Sequence, residues 1–395
     1  MSLYVGIGFS NNPNAQLAIQ DAAAQAKNNL AQTRIDMALV FMTAHYSPEE
    51  VLPIIYEELH QTNVLGCTAA GLLFSQAIES QGIMVVTLTS ENIKFETGYV
   101  QHLAIQDMQA AGKTLAQSCV TDYGQKYRKL LFFFADGLLH DLSAFVAGAK
   151  EHFGPAFPLI GAGSCDAVTF QKSYQFFQDQ VLSNSACAML LGGDFDLGIS
   201  CQHGWKPLGK PRIITKSEKN IIHSIDGKSA FSLYEDFIGA AAQTMKKNRL
   251  GQVNLRYPLG LHIEQGHGYV LRNVIDVLDD GSLVCQDNVH AGTEVHIMMA
   301  SKQSCLLAAE QAAYQVREQL IGLTPRLIIV TSSLVRAHFL GRAAIQEVKI
   351  IRNILGVDVP LVGFYSANET YTARTQEDVA RTEVHNSSVM ITAIH

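Results

Sequence analysis

The amino-acid sequence predicts an α/β protein, built from repeated βαββ units whose mixed sheets are covered by helices, in two similar halves. Apolar segments that end in a Gly-containing loop recur around Gly66, Gly161, Gly260 and Gly363, at intervals of roughly 100 residues, which indicates internal duplication. Apolar runs typical of buried strands alternate with helical patterns, as expected for α/β proteins. With 48% hydrophobic and 16% charged residues, the chain has the composition of a compact globular protein.

Each Gly segment belongs to a predicted unit that consists of a strand, a helix, a strand ending in the Gly loop, and a closing strand. Before the first unit we predict a strand at 3–9 and an Ala-rich helix that ends near residue 30. The predicted units are, in chain order, 37–43, a helix from 47, 64–71 and 83–88; 130–135, 142–153, 157–161 and 186–191; 221–225, 230–246, 259–263 and 269–277; and 327–331, 342–355, 361–364 and 388–394.

A chain of 395 residues is expected to form about two or three domains. The densest Pro and Gly stretch is 204–212, near the middle of the chain. We therefore predict an N-terminal domain over residues 1–204 and a C-terminal domain over 205–395, with two units in each.

Charge and hydropathy disfavour several classes of function. The net charge is −7 and the sequence contains no long basic run, so we expect neither nucleic-acid binding nor docking to an anionic membrane. The longest strictly apolar run, 130–135, is far shorter than a membrane span, and the N-terminus lacks the basic region of a signal peptide. The seven cysteines are scattered, which favours a reducing cytoplasm.

Known catalytic signatures are not evident. The segment Gly161-Ala162-Gly163-Ser164-Cys165 differs from the G-x-S-x-G pattern, because Ser164 stands one place late. We predict no catalytic residue and no enzymatic activity. An enzyme that uses Cys67 or Cys165 stays open as an alternative, although the sequence pairs neither with a base.

The Gly loops hold the candidate ligand-binding residues. Loops at the carboxyl ends of strands are the usual ligand sites of open α/β sheets, so Gly66, Gly161 and Gly363 either let the backbone approach a ligand or permit close strand packing. Beside these glycines stand Cys67, Cys165, Asp166, Tyr365 and Ser366. The two thiols can equally be small buried hydrophobes.

Arg336 and Glu369 lie on two loops of the fourth unit that are expected to face each other. One interpretation is that the two residues form an ordinary ion pair. The other is that Arg336 binds the carboxylate of a ligand while Glu369 holds the arginine in place. In the second case we expect both residues at the mouth of a concave site, with Tyr365 as one of its walls.

Histidines stand at matching places in the units. His45, His140 and His338 lie in the strand-to-helix loops of the three clear units, whereas His262 and His267 flank the loop of the third. Three of the fourteen histidines can fall at matching places by chance, so this pattern alone assigns them no role.

The chain resembles the FIST family of bacterial sensory proteins over nearly its whole length. The segments that carry this resemblance are Val64-Leu65-Gly66-Cys67-Thr68-Ala69-Ala70-Gly71, Phe134-Ala135-Asp136-Gly137-Leu138, His203-Gly204-Trp205 with Pro207, Tyr257-Pro258-Leu259-Gly260, Val362-Gly363-Phe364-Tyr365-Ser366 and His385-Asn386. Two features depart from the usual C-terminal pattern. Ser333 replaces a frequent Cys, and Ala367-Asn368 replaces Tyr-Gly before Glu369.

The resemblance implies a cytoplasmic small-molecule sensor rather than an enzyme. One branch of the family is similar to haem proteins that sense nitric oxide and regulate a histidine kinase or a cyclic-di-GMP enzyme in trans, which would make haem the cofactor and one of the five histidines its axial ligand. Resemblance to other members of the family implies a sensor of amino acids or similar ligands that contains no haem. A non-catalytic scaffold protein remains a further alternative.

Overall fold

A computed structural model describes residues 3–75, 77–120, 127–166, 172–247, 252–263, 268–374 and 380–395. Within these residues the chain contains three copies of one arrangement: outer strand, helix, central strand, helix, parallel strand, short hairpin and closing strand. A mostly antiparallel segment is inserted into the third copy. We call the copies the first, second and third repeat, and the segment over residues 206–299 the insert.

The elements of the first two repeats follow in chain order. The first repeat has β1 (Leu3–Ser10), α1 (Ala15–Leu30), β2 (Met37–Met42), α2 (Pro48–Glu58), β3 (Val64–Thr68), β4 (Leu72–Phe74), β5 (Ala77–Glu79) and β6 (Ile83–Ser90). The second has β7 (Ile93–Gln101), α3 (Met108–Ser118), β8 (Arg128–Asp136), α4 (Leu142–Phe153), β9 (Leu159–Ser164), β10 (Gln175–Phe177), β11 (Gln180–Leu182) and β12 (Ser185–Gly193).

The third repeat begins with β13 (Leu197–Gln202) and continues after the insert. The insert has β14 (Lys206–Glu218), β15 (Ile221–Ile225), β16 (Lys228–Ser229), α5 (Ser232–Ile238), α6 (Gln243–Lys247), α7 (Gln252–Arg256), β17 (Leu259–His262), β18 (Tyr269–Arg272), β19 (Val274–Val277), β20 (Leu283–Cys285) and β21 (Glu294–Met299). The repeat then has α8 (Lys302–Gln319), β22 (Leu327–Ser333), α9 (Leu334–Leu340), α10 (Ala344–Leu355), β23 (Leu361–Ser366), β24 (Glu369–Arg374), β25 (Ala380–His385) and β26 (Val389–Ile394).

Each repeat forms a six-stranded mixed sheet that is completed by the hairpin of another repeat. The strand orders are β1-β6-β2-β3-β10-β11, β7-β12-β8-β9-β24-β25 and β13-β26-β22-β23-β4-β5. The second repeat thus lends its hairpin to the first, the third to the second, and the first to the third. This closed exchange ties the three repeats into one unit.

The centre of the molecule is apolar where the three sheets meet. Phe41, Phe134 and Phe364, one from each repeat, pack against one another with ring centroids 4.5 to 5.9 Å apart. They belong to a core to which all three sheets contribute. Burial of large aromatic side chains is a major source of stability in such a core.

The predicted duplication is present, with one correction to its register. Gly66, Gly161 and Gly363 occupy equivalent places, since each lies on the parallel strand β3, β9 or β23 between the central strand and the exchanged hairpin. They lie within strands rather than in loops. A Cβ on Gly66 or Gly363 would clash with the backbone oxygen of Val40 or Val330 on the neighbouring strand, so here glycine permits close strand packing.

Gly260 does not match Gly363, and this part of the prediction is wrong. It lies on β17, which pairs antiparallel with both β18 and β21. The predicted third unit is therefore an antiparallel sheet of the insert rather than a βαββ unit. The predicted α/β class, with mixed sheets covered by helices and two domains, is confirmed.

No described helix is long and apolar enough to cross a membrane.

Candidate functional site

A large cleft lies where the insert meets the repeats. It has a volume of about 1130 Å³ and is lined by the insert, by the start of α4 and by β25. Small-molecule sites usually measure about 300–1,000 Å³. The cleft is thus large enough for a small ligand, which would contact the second repeat, the insert and the third repeat at once.

Side chains of both charges line this cleft. Arg381 and Glu383 on β25 form an ion pair with 2.9 Å between Nε and the carboxylate, and the Arg381 side chain is 49% exposed. Glu294 lies 3.4 Å from His296 and contributes a second acidic group. A ligand that carries both a carboxylate and an ammonium group would find complementary charges here.

One wall of the cleft is held by Arg272, which is almost fully buried. Its Nη1 donates to the backbone oxygen of Val384 at 2.7 Å, and its Nη2 lies 3.7 Å from Asp287. Ser143 at the start of α4 donates to Asp287 at 2.5 Å. These contacts join the insert to β25 and to α4. Side-chain hydrogen bonds therefore hold the walls of the cleft in place.

Arg336 and Glu369 do not form the expected open clamp. Both are fully buried, and the direct carboxylate partner of Arg336 is Glu347 on α10. Arg336 also donates to the backbone oxygens of His203 at 2.6 Å and Cys305 at 2.9 Å. The prediction placed this pair at the mouth of a concave site and is wrong on that point, because Arg336 instead ties three segments of the third repeat together.

Glu369 is hydrogen-bonded to two serines. Ser366 Oγ lies 2.7 Å from Oε1, while Ser388 donates to Oε2 through its hydroxyl at 2.6 Å and its backbone N–H at 3.2 Å. Burial raises the pKa of Glu369 to about 8, and the serine hydrogen bonds oppose that rise only in part.

Tyr365 and Gly363 lie in the interior. Tyr365 is 4% exposed and exchanges backbone hydrogen bonds with the first repeat, donating to Gly71 at 2.9 Å and accepting from Ala70 at 3.1 Å. Burial raises the pKa of its hydroxyl. Tyr365 therefore joins two repeats and does not form a wall of the large cleft.

The thiols of Cys67 and Cys165 are also fully buried. Cys165 donates to the backbone oxygen of Tyr365 at 3.5 Å, and burial raises its pKa to about 12. Burial raises the pKa of Cys67 as well. A nucleophilic cysteine needs thiolate character and access, and neither residue has them. Asp166 follows Cys165 and accepts from the backbone N–H of Lys172 at 3.1 Å.

The structure separates the candidate histidines. His45, His140 and His338 are exposed, with His45 Nδ1 3.2 Å from Thr43 and His140 Nδ1 3.5 Å from the backbone oxygen of Gln286. His262 is exposed and lines the large cleft, where its ring packs edge-on against Tyr269. His267 lies outside the described residues. Among the described residues, no group of three or more His, Cys, Asp or Glu side chains could hold a metal ion.

Sequence reasoning missed Arg381, Glu383 and Glu294. Arg381 and Glu383 alternate with Thr382 on one strand, and a period of two places their side chains on one face. That alternation was the available signal. It did not reveal the cleft, because the opposite wall comes from a segment about 100 residues away in the chain.

Family comparison matches both parts of the chain. Residues 36–228 match the FIST N domain, and residues 230–372 match the FIST C domain. The predicted division between residues 204 and 205 falls just before β14 and stays a prediction.

Relatives resemble the chain at low identity. The uncharacterized protein Rv0628c of Mycobacterium tuberculosis is 21% identical over 386 residues, which are 92% of this chain and 94% of that protein. The uncharacterized protein MJ1623 of Methanocaldococcus jannaschii is 20% identical over 230 residues, which are 54% of this chain and 42% of that protein. A crystal structure of cyanuric acid hydrolase from A. caulinodans aligns with 100% of this chain and 99% of that one, at 7% identity and a TM-score of 0.37, and this likeness is too weak to carry an argument.

Proposed function

Because the chain belongs to the FIST family, whose domains are small-ligand sensors in signal transduction, we propose that the protein binds an amino acid or a similar zwitterionic ligand in the cleft between the insert and β25. The observation that carries this proposal is the cleft itself, which brings Arg381 and the carboxylates of Glu294 and Glu383 to one open site. Arg381 would bind the ligand carboxylate, and the acidic side chains would bind its ammonium group.

The position of the cleft suits a sensor. Its walls come from segments within both family matches, and from β25 of the exchanged hairpin. A ligand that bridges these walls would favour one arrangement of the insert relative to the repeats. Binding can change signalling only through such a difference in affinity between two arrangements.

Calorimetric titration with each of the twenty L-amino acids tests this proposal. We expect at least one to bind to the wild-type protein, and Arg381→Gln to weaken binding about 10- to 100-fold, since a hydrogen bond to a charged group contributes about 1.5–3 kcal/mol. Arg34→Gln is the matched control, because Arg34 forms a similar exposed pair with Asp36, at 2.8 Å, on the first repeat. Equal loss in both variants, or no binding by any amino acid, would refute the proposal.

Haem is the second candidate, and one observation favours it: His262 is the only described member of the predicted histidine set that lines the cleft. The cleft also has apolar lining from Ile213, Val270 and Val289, and Arg381 could pair with a propionate. Haem bound here would take His262 as its axial ligand and would supply an iron centre for a diatomic gas such as nitric oxide.

Haem titration followed by the Soret band tests this second candidate. His262→Ala is expected to shift or abolish the band, whereas the control His45→Ala, at an exposed histidine of the first repeat, leaves it unchanged. A wild-type protein with no Soret band after haem addition, or the same band in His262→Ala, would remove haem from consideration.

Signalling is proposed to pass to a separate protein such as a histidine kinase or a cyclic-di-GMP enzyme, in the reducing cytoplasm. The seven cysteines, all of which lie in the described part of the chain, are free and buried, which suits that compartment. Kinase autophosphorylation measured with the sensor alone and with the sensor plus its ligand tests the partner. A rate that is independent of both additions would contradict it.

A further inference from the structure

Two repeats carry matching buried polar clusters, which at three equivalent positions differ in one residue type. In the second repeat, Ser173 also contacts Ser164 Oγ at 2.5 Å and accepts from Gln175 Nε2 at 3.0 Å. We call Ser164, Gln175 and Ser185 the second-repeat cluster, and Ser366, Glu369 and Ser388 the third-repeat cluster. All six residues are fully buried. Neither cluster lines the large cleft or is used in the proposed function.

Strand register shows that the clusters are equivalent. Ser164 and Ser366 end β9 and β23 and pair with the last residues of β8 and β22. Gln175 and Glu369 begin the exchanged hairpins and pair with the residue after Gly66 and Gly161, respectively. Ser185 comes directly before the residue of β12 that pairs with Ala135. Ser388 comes directly before the residue of β26 that pairs with Ser332.

The same register places three apolar residues at these positions of the first repeat. They are Ala69, Leu72 and Gly82. The polar cluster therefore accompanies two of the repeats and is not required by the fold itself.

Hydrogen counting distinguishes a neutral Glu369 from an ionised one. In the second-repeat cluster, Ser164 donates to the backbone oxygen of Ala135 at 3.0 Å and accepts from Gln175 Nε2 at 2.5 Å. Ser366 has one hydroxyl hydrogen but two acceptors, the Ser332 backbone oxygen at 3.3 Å and Glu369 Oε1 at 2.7 Å. A proton on Oε1 satisfies all of these groups, because Glu369 then donates to Ser366 as Gln175 donates to Ser164.

Glu369 also has no counterion in contact. Among the described residues, no cationic side chain lies within ion-pair distance of its carboxylate, and Arg336 is engaged by Glu347. An isolated buried carboxylate is costly and takes up a proton instead. The other titratable or charged groups that lie near it on the surrounding elements are Arg336 and Glu347 on α9 and α10, Cys165 after β9, Cys201 on β13, and Glu383 and His385 on β25.

We propose that Glu369 carries a proton in the native protein and that the third-repeat cluster is a proton-dependent latch at the start of the β24–β25 hairpin. The raised pKa of Glu369 supports this assignment. When the proton is lost, the Ser366 hydroxyl donates to Oε1 of Glu369 instead of the Ser332 backbone oxygen, which loses its hydrogen bond. The Glu369 carboxylate is then a buried anion without a counterion. The hairpin that the latch holds contributes β25 to the cleft, but the proposal does not depend on which ligand binds there.

Infrared difference spectroscopy of the wild type against Glu369→Gln tests the proton directly. We expect the C=O band of a protonated carboxylic acid at neutral pH, its loss as the pH rises through about 8, and its absence from Glu369→Gln. Asp36→Asn is the control and is expected to retain the band, since Asp36 pairs with Arg34 on the first repeat and takes no part in the third-repeat cluster.

Hydrogen exchange at the amides of β24 and β25 tests the latch. In the wild type we expect protection, corrected for intrinsic exchange, to fall as the pH rises through about 8, whereas in Glu369→Gln it stays constant. A wild-type protein without the acid band at neutral pH, or equal pH dependence in both proteins, would overturn the proposal. So would failure of Glu369→Gln to fold, because an amide reproduces the hydrogen bonds of the neutral acid, as Gln175 does.

Discussion

In the third repeat, Arg336, Glu347 and Glu369 are buried, whereas His262 and Glu294 of the insert line an open cleft. Arg336, Glu347 and Glu369 have at most 1% of their surface exposed, and their hydrogen bonds are made within the protein. His262 and Glu294, on the insert, face solvent at a joint between segments. The repeats thus supply a closed scaffold, and ligand binding is expected where the insert meets it.

The largest expected effect is on stability, from breaking the buried pair in the third repeat. Arg336→Ala leaves Glu347 without its partner and is expected to lower the free energy of unfolding by about 3–5 kcal/mol. Urea unfolding measures this loss. The double variant Arg336→Met with Glu347→Leu removes both charges and is expected to recover much of it. A loss below about 1 kcal/mol in Arg336→Ala would mean that the pair is not buried as described.

A polar side chain in the first repeat tests whether the clusters depend on their serines. Leu72→Gln places an amide at the position equivalent to Gln175, but Ala69 and Gly82 offer it no hydroxyl group. Lost apolar burial and an unsatisfied amide together are expected to cost about 3 kcal/mol. Leu72→Met is the size-matched control and is expected to cost less than about 1.5 kcal/mol. Equal costs in the two variants would contradict the comparison between repeats.

Gln175→Glu gives the three matched positions of the second-repeat cluster the residue types of the third-repeat cluster. A buried acid there has a pKa above that of the unfolded chain, so the native state holds more protons and stability falls as the pH rises between the two pKa values. The expected slope is about 1.4 kcal/mol per pH unit for one proton. Urea unfolding over a series of pH values measures the difference from the wild type. Parallel pH profiles would show that the two clusters are not equivalent.

Duplication was predictable from the sequence because close strand packing requires glycine at one place in each repeat. Gly66, Gly161 and Gly363 record that requirement. The insert has about the length of a repeat and carries Gly260 after Tyr257-Pro258-Leu259, so spacing alone predicted a fourth unit. The repeats and the insert differ in whether the glycine-bearing strand runs parallel or antiparallel to its neighbour. Residue spacing in a single sequence does not reveal that direction.

The candidate site was less predictable than the fold. Arg336 and Glu369 were identified as unusual, but their partners, Glu347, Ser366 and Ser388, are brought together by packing and by the return of β26. Hairpin exchange was not expected at all, since the sequence shows the strands but not which sheet each one joins. The cleft residues Arg381 and Glu383 lie on such an exchanged strand.

The smallest expected effect on stability comes from the cleft. Arg381→Gln is expected to change the free energy of unfolding by less than about 0.5 kcal/mol, because exposed ion pairs contribute little. Thermal unfolding without ligand checks this. A larger loss would place Arg381 with the structural arginines of the repeats and would weaken its assignment to ligand binding.

The location of the ligand is the central claim, and hydrogen exchange with and without the tightest-binding L-amino acid tests it most directly. We expect added protection to concentrate on β25 and on residues 288–294 of the insert, with little change at the strands of the first repeat. Protection confined to the first repeat, or spread evenly over the three repeats, would contradict a site at the joint between the insert and β25.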